Sequence, residues 1–389
     1  VIDYNKLLSD KIKSVKPSGI RKYFDLAESM ENVISLGVGE PDFQTPWHIR
    51  EAGIRSLELG KTRYTSNSGL LKLRNAISQY MKETQGVDYD PKSQILVSVG
   101  GSEAIDAAIR TLINPGDEVL IPEPSFVCYS PLTTLAGGTP IPIVTKAEDC
   151  FRLTAEELKE KITDKTKLLI LPFPNNPTGG IMRKEHLEEI AEVLRGTDIL
   201  VLSDEIYGEL TFGDTKHCSV ATLKGMEERT IVINGFSKSY SMTGWRIGFA
   251  CGPVPIIGAM TKTHQFSIMS APTTAQYAAI EAITKGREDI EKMKSEYDMR
   301  RRLMVNGLRK IGLNCFEPEG AFYIFPSIKS TGLSSDEFCQ RLLKEQNVAV
   351  IPGNAFGESG EGYVRISYSY KTDHLLEALE RIETFIKGL

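Results

Sequence analysis

Between about residue 50 and residue 285 the chain alternates short apolar runs with amphipathic stretches. The runs are "QILVSV", "DEVLIP", "TPIPIV", "KLLILPF", "DILVLSD", "TIVING" and "RIGFACG". Between them lie segments such as "SEAIDAAIRTLI" and "RKEHLEEIAEVLRG", whose apolar residues recur at helical spacing. Continuous apolar strands separated by helices predict a mostly parallel, seven-stranded sheet covered on both faces. After about residue 285 the rhythm changes. A long helix leads to strands "NCFEP" and "AFYIFP", helix "SDEFCQRLLKEQ", strands "VAVIPG" and "YVRISYS", and a final helix "DHLLEALERIETFIKG". This predicts a smaller α+β domain. The segment before residue 46 is too short for a core of its own and is expected to pack on it. The expected division is therefore a large α/β domain over 46–285, and a small domain built from 1–45 and 286–389.

In open α/β sheets ligands gather at the carboxyl ends of the strands. "GGSEAID" follows the first run, "EPSF" the second, "NNPTGG" the fourth, "DEIY" the fifth and "FSKS" the sixth. Each has a plain explanation taken alone. "GGSEAID" is a helix start, where Gly100 and Gly101 let backbone amides approach an anion, or simply a Ser N-cap. Asn175 and Asn176 suit a turn. Phe126 suits a core. Lys238, and Arg246 eight positions later, are of a type most often found solvated. Asp204 and Glu205 follow an apolar strand, so at least one is expected to be buried and to need a cationic or protonated partner.

Composition narrows the classes. Lys plus Arg is 46 against 51 Asp plus Glu, a net charge of −5, and no basic stripe carries interleaved aromatics, which argues against nucleic acid as a partner. The densest basic run, "MRRRLM", reads as the solvated face of a helix. Six scattered cysteines without CxxC spacing suit free thiols in a reducing cytoplasm. The polar start resembles no signal peptide, no run approaches a membrane span, and the missing initiator Met suggests a processed or trimmed chain. No metal site is expected.

An anion cup, a flat aromatic, a strand-end acid and a loop amine on one edge match the needs of pyridoxal 5′-phosphate (PLP). At this point the chain resembles the class I/II aminotransferases of the aspartate and aromatic type, which are fold-type I PLP enzymes. The resemblance runs in order through "SLGVGEPDFQTP", "RYTSNSGLLKLR", "VSVGGSEAID", "EPSFVCYSP", "PFPNNPTGG", "SDEIYGELTF", "NGFSKSYSMTGWRIGF", "PEGAFYIFP" and "YVRISYS". It implies that Lys238 is the Schiff-base lysine and the base that moves the substrate α-proton. Arg246 would bind the phosphate together with Gly101, Ser102 and the backbone of Glu103. Asp204 would pair with the pyridine nitrogen, and Asn176 and Tyr207 would donate to the phenolic oxygen. Phe126 would stack on the ring. Arg365 and Gly39, beside Asn176, would hold the substrate α-carboxylate. Tyr64 would reach the phosphate of a neighbouring subunit, making a homodimer with composite sites.

Two departures matter. Gly235 stands three residues before the lysine where some members have a phosphate-binding Ser, so Ser237 is expected to serve instead. No Arg lies in "HQFSIMSAP", where some aspartate enzymes read a second carboxylate. The expected activity is transfer of an amino group from an L-amino acid to a 2-oxo acid by ping-pong half-reactions. The distal pocket is expected to be walled by Ile20 and Val38. The alternative is a carbon-sulfur or cyclopropane-forming lyase of the same fold. A nucleotide-dependent oxidoreductase fits poorly, since "GVGEPD" lacks the third Gly of a dinucleotide fingerprint. A regulator on the same scaffold would not need the lysine, and no helix-turn-helix extension is evident.

Overall fold

The computed structural model describes residues 2–17, 19, 20, 23 and 30–389. After a short strand β1 (Ile34–Ser35), the seven apolar runs form seven strands. These are β2 (Ile95–Ser98), β3 (Glu118–Glu123), β4 (Thr139–Val144), β5 (Thr166–Leu171), β6 (Leu200–Asp204), β7 (Thr230–Gly235) and β8 (Gly248–Cys251). They make one sheet in the order β2-β8-β7-β6-β5-β3-β4. The ladders β4/β3, β3/β5, β5/β6 and β6/β7 are parallel. Strand β8 is antiparallel to both neighbours. Every residue of β2, β7 and β8 is buried, as strands covered on both faces require. Strand β4 carries Pro140 and Pro142 and sits at the edge, where missing N–H donors cost no ladder bond.

The amphipathic stretches form the helices expected of them. Helix Gly101–Leu112 buries Ala104, Ile105, Ala108 and Ile109, a stripe of i, i+3 and i+4 spacing. Helix Lys184–Leu194 does the same with Leu187, Ile190, Ala191 and Leu194 on the other face of the sheet. Among the described residues no helix is long and apolar enough to cross a membrane.

The later part of the chain holds β9 (Tyr323–Ile324), β10 (Val348–Ala349), β11 (Ile351–Pro352) and β12 (Val364–Ser367). Strands β11, β12 and β9 pair antiparallel in that order. The early segment joins them. β1 runs parallel to β10 with Ile34 opposite Val348, and the Ser367 amide donates to the Leu36 carbonyl at 2.8 Å. Helices Arg287–Ile311, Ser335–Gln346 and Thr372–Lys387 close this core.

Two sequence expectations fail here. "NCFEP" is not a strand. The Asn314 carbonyl accepts from the Ser327 amide and the Cys315 carbonyl from the Arg309 side chain, so these two acceptors are taken outside any ladder, and the Glu317 carboxylate bonds Arg301. "MRRRLM" is not a solvated face throughout. Arg300 and Arg301 are buried, paired with Asp42 and with Asp298 and Glu317, and of the three arginines Arg302 alone is exposed. Periodicity marks which positions point inward, but not that an inward cation has found an acid elsewhere.

Candidate active site

The carboxyl ends of β2, β3, β5, β6 and β7 share one edge of the sheet, and a cavity of about 600 Å³ opens there. Its lining includes Gly39, Gly101, Ser102, Phe126, Asn176, Asp204, Tyr207, Ser237, Lys238, Arg246 and Arg365. Ile20 and Val38 line it as well. Residues from positions more than 300 apart in the chain thus meet at one site. Two residues singled out from the sequence stand outside it. The Glu103 carboxylate turns away, accepting from the Val99 amide at 3.1 Å and facing the buried His264 Nδ1 at 3.1 Å. Tyr64 is 82% exposed.

Topology explains the two cations. Lys238 follows the end of β7. Because β8 runs the opposite way, its first residues lie where its neighbours end, and Arg246, just before β8, reaches the same edge. Arg246 sits against the start of helix Gly101–Leu112. A Cβ on Gly100 would meet the Arg246 guanidinium at 2.6 Å and displace it, and Gly100 has φ of +79°, a backbone conformation that favours glycine. Gly248 allows a second close approach, since a Cβ there would lie 2.8 Å from the Gly100 backbone. The Arg246 Nη1 donates to the Thr243 carbonyl at 2.9 Å. Among the described residues no carboxylate pairs with Arg246. A free guanidinium beside a helix N-terminus could hold a phosphate. Ser102 lies inside the first turn of that helix with its side chain exposed, and Gly100 is the cap, so Ser102 is not an N-cap.

The Lys238 Nζ donates to the Gly39 carbonyl at 2.5 Å and lies 5.7 Å from the Phe322 ring centre. Burial lowers its pKa from 10.5 to about 8; Glu40 opposes this, and Arg365 and Arg246 add to it. Asp204, at the end of β6, is 7% exposed. Its Oδ2 accepts from the Tyr129 hydroxyl at 2.7 Å and its Oδ1 from the Ile206 amide at 3.2 Å. Burial pushes its carboxyl above the usual range, while those two donors hold it down. Among the described residues no Lys, Arg or His pairs with it. Glu205 is also buried, but is engaged by Ser203, Ser219 and His217.

Arg365 on β12 is 2% exposed and has no acid partner among the described residues. Its Nη1 donates to Asn176 Oδ1 at 2.9 Å, its Nη2 to the Gly37 carbonyl, and its Nε has no partner. The Tyr323 and Phe356 ring centres flank it at 4.6 and 4.8 Å. Burial lowers its pKa. A buried guanidinium with neutral acceptors alone could bind a carboxylate. Asn175, in contrast, holds the turn, with Oδ1 accepting from the Thr178 amide and hydroxyl. The Tyr207 and Tyr323 hydroxyls lie 2.8 Å apart. Tyr129 and Tyr323 both line the cavity, as do Glu40 and Thr243. All four lie inside the quoted motifs, but none is singled out there as a site residue.

The donor set fits PLP. A buried carboxylate without a cation suits a protonated ring nitrogen, and two unpaired guanidiniums suit a phosphate and a carboxylate. The comparisons agree. Residues 31–382 match the family Aminotransferase class I and II. The chain is 47% identical to the aspartate aminotransferase of Pyrococcus abyssi, over 98% of each chain. It is 46% identical to aromatic-amino-acid aminotransferase 2 of Thermococcus litoralis, over 98% of each. The crystal structure of an aromatic aminotransferase from Pyrococcus horikoshii OT3 superimposes with a TM-score of 0.90 at 46% identity, covering 95% of this chain and 99% of that one. The chain belongs to the class I and II aminotransferases. It is a PLP-dependent aminotransferase, and nothing among these relatives favours the lyase alternative.

Proposed function

We propose that the enzyme takes a broad set of amino donors, aromatic and aliphatic side chains among them, without a dedicated cation for a second carboxylate. The observation that carries this is the inventory of cations. Among the described residues Lys238, Arg246 and Arg365 are the cations lining the cavity, and each has a task without a distal carboxylate. Ile20 and Val38 supply apolar wall. Apolar walls discriminate by only about 1–3 kcal/mol per methylene-sized change, so several donors should be used, with glutamate and 2-oxoglutarate as a shared pair. The test is kcat/KM for aspartate, glutamate, alanine, phenylalanine, tyrosine and methionine in the single half-reaction. A preference for aspartate over phenylalanine above roughly 10³-fold exceeds what apolar walls give and would overturn the proposal.

The residue roles follow from the same reading. Gly101, Ser102, the Glu103 backbone, Ser237 and Arg246 would hold the phosphate. Phe126 would cover the ring, Asp204 would pair with its nitrogen, and Asn176 and Tyr207 would donate to its phenolic oxygen. Arg365, with Gly39 and Asn176 beside it, orients the substrate carboxylate. When bound, PLP supplies an electron sink for the substrate α-carbon and a carrier for its amino group. The Lys238 amine takes the proton from that α-carbon. Support for this part is geometric: each named group except Glu103 lines the cavity.

The working form is a homodimer. Tyr64 and Phe266 are 82% and 87% exposed, and their segments are tied together, since Asn67 Nδ2 donates to the Met269 carbonyl and Thr273 Oγ1 to the Arg63 carbonyl. A second copy covering this face would receive Tyr64 at its own phosphate cup. Mixing Tyr64→Phe subunits with Lys238→Ala subunits should create heterodimers with one fully native site, and activity should rise above that of either parent. Full activity in a monomeric species at sedimentation equilibrium would reject the arrangement. The division into a large domain over 46–285 and a small one over 1–45 and 286–389 is supported by a core around Phe322, Phe338, Leu342 and Ile366, drawn mostly from the later segment. A cytoplasmic site of action is supported by six free cysteines.

A further inference from the structure

The Tyr129 hydroxyl has one task in the fold. Tyr129 is 2% exposed and opens helix Tyr129–Ala136, just after β3. Its hydroxyl donates to Asp204 Oδ2 at 2.7 Å. Its ring meets Phe126 edge-on, with centres 6.1 Å apart at 82°. A buried tyrosine that merely filled space would need any acceptor for its hydroxyl, and a backbone carbonyl would serve. This one uses the carboxylate at the heart of the site.

We infer that Tyr129 is a positioning residue for transamination, whose hydroxyl fixes the Asp204 carboxylate and keeps the proton shared with the cofactor's ring nitrogen on the nitrogen. The inference rests on the proposed pairing of Asp204 with that nitrogen. Two bases that share one proton divide it by relative basicity. Burial makes a carboxylate hold its proton more tightly, and each hydrogen bond donated to the carboxylate makes it hold less tightly. Asp204 is buried, and the Ile206 amide at 3.2 Å is the weaker of its two donors by length. Without the Tyr129 hydroxyl the proton shifts to the carboxyl oxygen. The ring nitrogen loses its charge, and with it the capacity to draw electrons from the substrate α-carbon. No proton is gained or lost in this exchange; it changes owner along one hydrogen bond.

The test loads the enzyme with PLP labelled with ¹⁵N in the ring and records the nitrogen resonance in wild type, Tyr129→Phe and Asp204→Asn. Tyr129→Phe keeps the ring against Phe126 and removes only the oxygen. Its resonance should move toward that of an unprotonated pyridine. Its kcat should fall about tenfold, which is ~1.4 kcal/mol, with KM little changed. Fluorinated tyrosines at position 129 supply a series of stronger donors that keep the hydroxyl, should the phenylalanine variant fold poorly. Across that series the resonance should track phenol acidity toward the protonated end. An unmoved resonance with normal kcat in Tyr129→Phe, or no trend in the series, overturns the inference. If Asp204→Asn moves the resonance and Tyr129→Phe does not, only the inference about Tyr129 falls. If neither moves it, the pairing of Asp204 with the nitrogen falls as well.

Discussion

Lys238→Ala should lower the rate of the half-reaction by about 10⁴-fold or more while PLP still binds. A positioned base contributes roughly 10²–10⁴-fold by itself, and this amine is also the proposed point of covalent attachment. The phosphate contacts at Gly101, Ser102 and Arg246 do not involve the lysine, so cofactor retention should survive the substitution. Borohydride should fix PLP to the wild-type protein at Lys238, and to no residue of the variant. Peptide mapping that finds the label on another lysine, or a variant within tenfold of wild type, would remove Lys238 from its role. The lowered pKa adds a pH dependence. Attachment needs the neutral amine, whose fraction climbs about tenfold per unit below the pKa and levels off above it. Capture of added PLP by the cofactor-free protein should therefore rise with pH and flatten above about 8, where an ordinary lysine would go on rising to 10.5. A plateau near 10.5 would mean that burial does not tune the amine.

Asp204→Ala should slow the half-reaction by roughly 10²–10³-fold or more at matched cofactor content, up to about 10⁴-fold at the top of the range. Leaving one member of a buried charged pair alone costs about 3–5 kcal/mol, and that loss, felt in the transition state, converts to this range. The substitution also strands the Tyr129 hydroxyl, whose only acceptor among the described residues is Asp204. Near-normal turnover in single-turnover kinetics would refute the role. Glu205→Gln is the informative comparison. The Glu205 carboxylate is just as buried, but it serves Ser203, Ser219 and His217, so its loss should lower thermal stability more than turnover of the folded enzyme.

Much of this architecture can be read from the chain because burial on both faces leaves an unbroken apolar run. All seven runs of the large sheet are strands. The polar motifs at the ends of those runs could be placed on one edge, since parallel strands put their carboxyl ends together. The reversed direction of β8 leaves no mark in "RIGFACG", because a strand buried on both faces reads the same either way. Lys238, Asp204, Asn176 and Arg365 sit in motifs whose joint order is specific. Tyr129 and Tyr323 were missed for a physical reason. Their hydroxyl partners, Asp204 and Tyr207, lie 75 and 116 positions away, and local periodicity sees only an apolar ring. Spacing gives one hint for Tyr129: it stands only three positions after Phe126, at the end of the turn that leads from β3 into the helix Tyr129–Ala136. "NCFEP" misled because an apolar pair flanked by polar residues imitates alternation over too short a length.

The pairing of β1 with β10 has a consequence for how the enzyme is made. The wall that carries Val38 and Gly39 leaves the ribosome early, yet Val348 and Ser367, to which it is stitched, are translated about 300 residues later. At ~5–20 residues per second that is a wait of roughly 15–60 s. Throughout it the large sheet can assemble and its lysine can come into place, but Gly39 is not there to meet it. Catalytic competence therefore waits on the late strands, and a nascent polypeptide stalled before Val348 should turn over no substrate even where its large sheet has formed.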